Sequence, residues 1–241
     1  MTHNSRLTTP GALLPDPAIR VRETTLGREL RVSGTLASLY RPGQATTGLI
    51  WDVLAAGLTT LPPERRRSVL ILGLGGGSAA RVARALAPSA RIVGIERSAA
   101  VVEAAQRHLD LDALRIEVRI EDARAVLAEE TETFDTVIED IFEGGTHNLR
   151  KPAWLLAEGF VQAAERLAPG GVLASNTIGQ HAEVTRALRG VWPRLVWIET
   201  RDYENKIVVG GAGLDALTLR RALGTEPLLA EVRPRLVYRT V

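Results

Sequence analysis

The chain has 241 residues, 45% hydrophobic and 24% charged, with no cysteine and a formal net charge of +2. This suits one globular domain with at most a small appendage. It excludes disulfides and thiolate metal sites, and no apolar run approaches the ~18–20 residues of a membrane span. The N-terminal MTHNSRLTTPGALLPDP lacks a secretory apolar region, so a cytoplasmic location is expected. The cations are almost all arginine and are interleaved with acids, so no nucleic-acid partner is expected, although Arg65, Arg66 and Arg67 cluster.

Residues 1–17 read as a loose polar tail. Ala18 to Tyr40 alternates through AIRVRET, RELRVS and TLASLY, broken at Gly27 and Gly34, which predicts a β-hairpin or three-stranded meander. Thr46 to Thr60 reads as a helix with Leu49, Ile50, Val53, Leu54 and Leu58 on one face, ended by Pro62-Pro63. Residues 18–63 are too small to stand alone and should pack on the main domain, 64–212.

That domain opens with VLILGLGGGSAAR, Val69 to Arg81. Four apolar residues form a buried strand, a glycine turn follows, and Ser78 opens a helix. Strand, glycine turn and helix begin a nucleotide-binding βαβ unit. The glycines admit a close ligand, and a helix start offers free N–H groups. A second strand, RIVGI, ends on Glu96, nineteen residues past Gly77. This is near the ~20-residue spacing that puts a carboxylate on a ribose diol.

Next come a helix (Ala99 to Leu109), a strand (Arg115 to Ile120), a short helix (Arg124 to Glu129) and the strand FDTVIED, ending at Asp140. The loop 141–152 reads either as a lid whose cations Arg150 and Lys151 hold an acidic substrate, or as a solvated loop. A helix (Ala153 to Ala168), a turn at Pro169-Gly170-Gly171, the strand VLASNTI and a helix (Glu183 to Arg189) follow. PRLVWIET and NKIVVGG are joined too tightly for a crossover and should pair antiparallel. Residues 213–241 form a C-terminal extension. The pattern predicts a doubly wound, Rossmann-like α/β fold with a seven-stranded sheet, an arrangement that resembles that of the class I S-adenosylmethionine-dependent transferases. The four tryptophans read as core, and no cluster has metal-ligand spacing.

From about Ile19 to Gly211 the chain resembles the spermidine synthase (polyamine aminopropyltransferase) family. The likeness lies in the N-terminal hairpin, LGLGGGS, VGIERSAAVVEAAQRHL, the strand-end Asp122, FDTVIED and LAPGGVLASN. It implies a homodimer built through the hairpin, and S-adenosylmethionine or its decarboxylated form as cofactor. It places Gly73, Gly75, Gly76, Gly77 and Ser78 at the methionine-derived part and Glu96, with Arg97, at the ribose. Asp122 and Ala123 would face adenine, although Asp122 also suits a helix N-cap. Asp140 would lie nearest the reacting amine.

The departures from that family are equally specific. Its glycine run holds an acid where this chain has Gly76. Its second acid after the catalytic one is represented here by Glu143 alone. The polyamine-holding stretch is replaced by ASLYRPGQATTG, which has no acid; Tyr40 and Gln44 are the candidates to compensate, though neither is in the matching register, and His147 and Asn148 of the later loop are separate candidates for substrate binding. Burying a row of ammonium groups needs opposing carboxylates. The expectation is therefore methyl transfer to a small-molecule acceptor, for which the resemblance implies an amine, with aminopropyl transfer and a non-catalytic nucleoside-binding or scaffold protein as the alternatives.

Overall fold

The computed structural model describes residues 18–241; the tail expected at 1–17 lies outside the described residues. Three strands, β1 (Ile19–Thr24), β2 (Gly27–Val32) and β3 (Thr35–Tyr40), form an antiparallel meander. Helix α1 (Ile50–Ala55) then runs into a 3-10 stretch, Ala56–Thr60. It starts later than the apolar periodicity suggests because Asp52 reaches back to the preceding turn. Its Oδ1 accepts from the Thr47 N–H and hydroxyl, both at 2.8 Å, and its Oδ2 from the Gly48 N–H at 2.7 Å. Gly48 adopts φ +72, which favours glycine.

The main domain follows in order: β4 (Ser68–Leu72), α2 (Ser78–Leu86), β5 (Arg91–Glu96), α3 (Ala99–His108), β6 (Glu117–Ile120), α4 (Ala123–Glu129) and β7 (Phe134–Glu139). Next are α5 (Phe160–Glu165), β8 (Leu167–Thr177), α6 (His181–Arg189), β9 (Val196–Thr200), β10 (Lys206–Gly211), α7 (Ala216–Gly224) and β11 (Leu236–Thr240). The strand order is β11-β9-β10-β8-β7-β4-β5-β6. The five strands from β8 to β6 are parallel, and β10, β9 and β11 pair antiparallel.

Three boundaries differ from the sequence pattern. The sheet has eight strands, because the C-terminal segment adds β11 along β9. Residues Leu155–Gly159 form a π-helical turn ahead of α5. The Pro169-Gly170-Gly171 turn is a register shift between β7 and β8, with Phe134 opposite Leu167 and Thr136 opposite Val172.

Alternate residues of β4 enter opposite cores. Val69 and Ile71 pack with α1 and α2, while Leu70 and Leu72 pack against Phe134, Leu155 and Phe160. A strand covered on both faces has to be apolar throughout. The Arg65–Arg67 cluster is spent on structure: Arg65 and Arg66 donate to backbone carbonyls, and Arg67 pairs with Asp135.

Asp52→Ala leaves three buried donors unmet at ~1 kcal/mol or more each. A loss of about 2–4 kcal/mol is expected by denaturant unfolding, without loss of the main sheet by circular dichroism.

Candidate functional site

The carboxyl ends of β4, β5, β6 and β7 open into one cleft of about 470 Å³, roofed by the meander and α1. Ligands of open α/β sheets bind at this edge. The turn after β4 places Gly73 and Gly75 on the floor. A Cβ at Gly73 would lie 2.7 Å from the Asp140 carbonyl oxygen, so only glycine lets these two chain segments approach so closely.

Glu96 ends β5 in the cleft. Its Oε2 accepts from the Gly75 N–H at 3.0 Å and its Oε1 from the Ser98 N–H at 3.1 Å. Each oxygen keeps acceptor capacity toward the cleft. Arg97, Ser98, Glu121, Asp122 and Ala123 line the same end. Asp122 caps α4, accepting from the Arg124 N–H at 2.7 Å, and keeps its second oxygen unused by the cap. Apolar walls come from Leu36, Ile95 and Val101.

Asp140 stands at the other end, after β7. Its Oδ2 accepts from Trp51 Nε1 at 3.0 Å and its Oδ1 from Asn176 Nδ2 at 2.7 Å. Asn205 Nδ2 donates in turn to Asn176 Oδ1 at 2.8 Å, which fixes the Asn176 amide with its donor toward Asp140. Desolvation raises the Asp140 carboxyl to about 6. Lys151, the two neutral donors and Glu139 adjust that value, the lysine most strongly and downward. Phe142, Glu143, Leu149, Trp154, Ile178 and Tyr203 complete this end.

Several expected site residues lie elsewhere. Gly76, Gly77 and Ser78 do not line the cleft. The Gly76 N–H donates to Ser38 Oγ at 2.7 Å, and a Cβ there would meet Leu109 and Ser38. Ser78 is buried against β3, its hydroxyl donating to the Leu39 carbonyl and accepting from the Leu39 N–H, both at 2.9 Å. The meander has therefore occupied the Gly76 amide, one of those expected to meet a ligand. Tyr40 stacks beside Arg81, 4.4 Å from ring centre to guanidinium, and its hydroxyl faces Asp110. Gln44 and His147 are exposed outside the cleft, and Asn148 is tied to the Gly145 N–H at 2.7 Å.

The loop cations are not free for an acidic substrate. Arg150 pairs with Glu143 at 3.0 Å, across a short antiparallel bridge. Lys151 is buried with Glu139 at 2.7 Å. Two tryptophans expected only in the core, Trp51 and Trp154, line the cleft. Sequence reasoning also missed Asn176, Tyr203 and Asn205; for Asn176 the signal was its place at the carboxyl end of β8.

Residues 69–171 match the family described as methyltransferase domain. A probable polyamine aminopropyl transferase of Bifidobacterium longum is 30% identical over 139 residues, which are 58% of this chain and 30% of that protein. The match thus spans under a third of that curated relative's length. A probable spermidine synthase from Corynebacterium glutamicum superposes with TM-score 0.70 at 20% identity, covering 92% of this chain and 86% of that one. Human methyltransferase-like protein 13, solved with SAH, gives TM-score 0.60 at 22% identity, covering 71% and 87%.

The Asp140 titration is directly observable, because a neighbouring carboxyl changes the emission of Trp51 on protonation. The fluorescence component lost in Trp51→Phe is expected to titrate near pH 6, well above an ordinary aspartate. As pH rises from ~4 through 6 the folded state has to accept a buried charge that the unfolded chain carries freely, so this group's contribution to stability falls across that window. Residues 69–171 carry the sequence pattern of a methyltransferase domain, in a chain with the class I fold that spermidine synthases share.

Proposed function

We propose that the chain is a transferase using an S-adenosylmethionine-type donor, and that it methylates a small acceptor held at Asp140. The observation that carries this reading is the pairing state of the carboxylates around the cleft. Glu143 is neutralised by Arg150 and Glu139 by Lys151. Asp140 is left facing the acceptor end with neutral donors only. That suits one amine or hydroxyl better than a row of ammonium groups, each of which needs an opposing charge.

The residues present fit a nucleoside donor. Glu96 is pre-aimed by two backbone N–H groups to accept from both hydroxyls of a diol. Asp122, which lines the cleft with one oxygen unused by the cap, would accept from an exocyclic amine, and the apolar walls suit a base. The cleft volume is in the range of small-molecule sites. When bound, such a donor supplies an electrophilic carbon on a sulfonium. This chain's own task is alignment and proton removal. The acceptor's N–H or O–H donates to Asp140, whose value near 6 lets it take a proton at neutral pH. Trp51 and Asn176 hold the carboxylate in place, and the aromatic walls at Phe142, Trp154 and Tyr203 limit water.

The second reading is aminopropyl transfer from the decarboxylated donor to an amine. It is favoured by the Bifidobacterium longum relative and by the meander, which recurs in the spermidine synthase resemblance. The occupation of the Gly76 N–H by Ser38 also removes one place for the carboxylate of intact S-adenosylmethionine.

Competition calorimetry with the two donors distinguishes the readings. Tighter binding of intact S-adenosylmethionine is expected. A clear preference for the decarboxylated donor, with thioadenosine product formed from an added diamine, restores aminopropyl transfer, and failure of both donors favours the scaffold. Glu96→Ala removes two charge-assisted bonds at ~1.5–3 kcal/mol each and should weaken donor binding on the order of a hundredfold. An unchanged dissociation constant would take Glu96 out of the site.

A further inference from the structure

Lys151 and Glu139 form an ion pair with both side chains fully buried. The pair is closed. Lys151 Nζ donates to Glu139 Oε1 at 2.7 Å, to Oε2 at 2.8 Å and to the Ile141 carbonyl at 2.9 Å. Glu139 Oε1 also accepts from the Ile141 N–H at 2.6 Å, and Oε2 from Ser175 Oγ at 2.5 Å. The Phe142 ring lies 3.9 Å from the ammonium. A buried pair of this kind adds little stability over apolar residues of the same volume. Its partners indicate another use: they are the residues on either side of Asp140, together with a neighbouring strand and the returning loop.

We propose that the Lys151–Glu139 pair is a positioning clamp for Asp140. Glu139 reaches past Asp140 to the amide of Ile141, and Lys151 takes the carbonyl of the same residue. The backbone on both sides of Asp140 is pinned, so its carboxylate has one direction, toward Trp51 and Asn176. Phe142 is seated over the ammonium as a wall of the acceptor end. The clamp rests on the reading of Asp140 as the acceptor-facing acid.

The clamp also sets the field at Asp140. The charges that face it are Lys151, from the returning loop, and Glu139, from its own strand. Glu143, held by Arg150, and Tyr203 line the same cleft. The lysine lowers the carboxyl more than Glu139 raises it. Removing both charges therefore moves Asp140 upward.

The test is Glu139→Gln combined with Lys151→Met in the full chain. The Trp51-dependent fluorescence titration should shift to higher pH. Donor dissociation constants should stay within about twofold of wild type, while kcat falls roughly ten- to a hundredfold, the scale expected when a reacting group is displaced by about 1 Å. A folded double variant with wild-type midpoint and kcat overturns the proposal. If the double variant does not fold, Glu139→Asp serves: it keeps both charges but shortens the acid by one methylene, so that it no longer reaches Lys151 and the Ile141 N–H together. A severalfold loss of kcat at unchanged donor affinity supports the clamp, and wild-type kcat overturns it. The titration needs no turnover, so a failure of the transferase reading, seen as wild type binding neither donor, is distinguishable from a failure of the clamp.

Discussion

The cleft depends on one close approach. The backbone at Gly73 passes so near the Asp140 carbonyl that a single methyl group between them would collide. That contact brings the two halves of the site together. On one side the turn after β4 leads to Glu96, through the bond from the Gly75 amide. On the other, β7 leads to Asp140, whose own N–H donates to the Leu72 carbonyl at 2.8 Å. A residue with a Cβ at position 73 would push these strands apart and open the cleft at its centre. The positive φ of +85 at Gly73 adds a second reason for glycine there.

The meander is the other half of the construction. Ser38 and Ser78 stitch β3 to the glycine turn with three hydrogen bonds of 2.7–2.9 Å. Arg41 pairs with Glu231, and Arg235 donates to the Gly48 carbonyl, so the segment after the meander is also held by the C-terminal segment. These links carry the roof of the cleft, including Leu36 and Trp51, from a part of the chain far from β7 in sequence. The Ser38 link also satisfies one backbone donor of the glycine turn, the Gly76 N–H, that a bound group would otherwise meet. The turn acts here as a rigid floor more than as a cradle.

How much of this was legible follows from the kind of interaction. Glu96, Asp122 and Asp140 stand at strand ends, and the period of the apolar runs locates strand ends directly. The parallel sheet and its antiparallel terminal hairpin were readable for the same reason. The eighth strand was not, because LVYRT is short and half-exposed and gains its place only by pairing with β9. Trp51 reaches Asp140 across 89 residues, and no local pattern encodes that distance. Lys151 looked like a loop cation because the residues around it are polar; its burial follows from Glu139, an acid in a strand with no exposed position. An acid in so buried a strand is a sequence sign that a partner exists, though it does not say which residue supplies it.

Carboxylates out of water need compensation, and the manner of compensation decides what each can do. Glu96 receives two backbone N–H groups, so it is a fixed acceptor. Glu139 receives an ammonium, so its charge is spent internally. Glu143 receives a guanidinium. Glu121 and Asp122 stay exposed, where water does the work. Asp140 is held by an indole and an amide, both neutral, with the nearest cation turned away toward Glu139. Neutral donors fix a carboxylate's direction without fully offsetting its lost hydration, which leaves it near 6. A group in that condition can both accept a proton and release it near neutrality. On the proposed reading the chemistry is therefore concentrated at Asp140, and the Lys151–Glu139 pair beside it serves to keep it there.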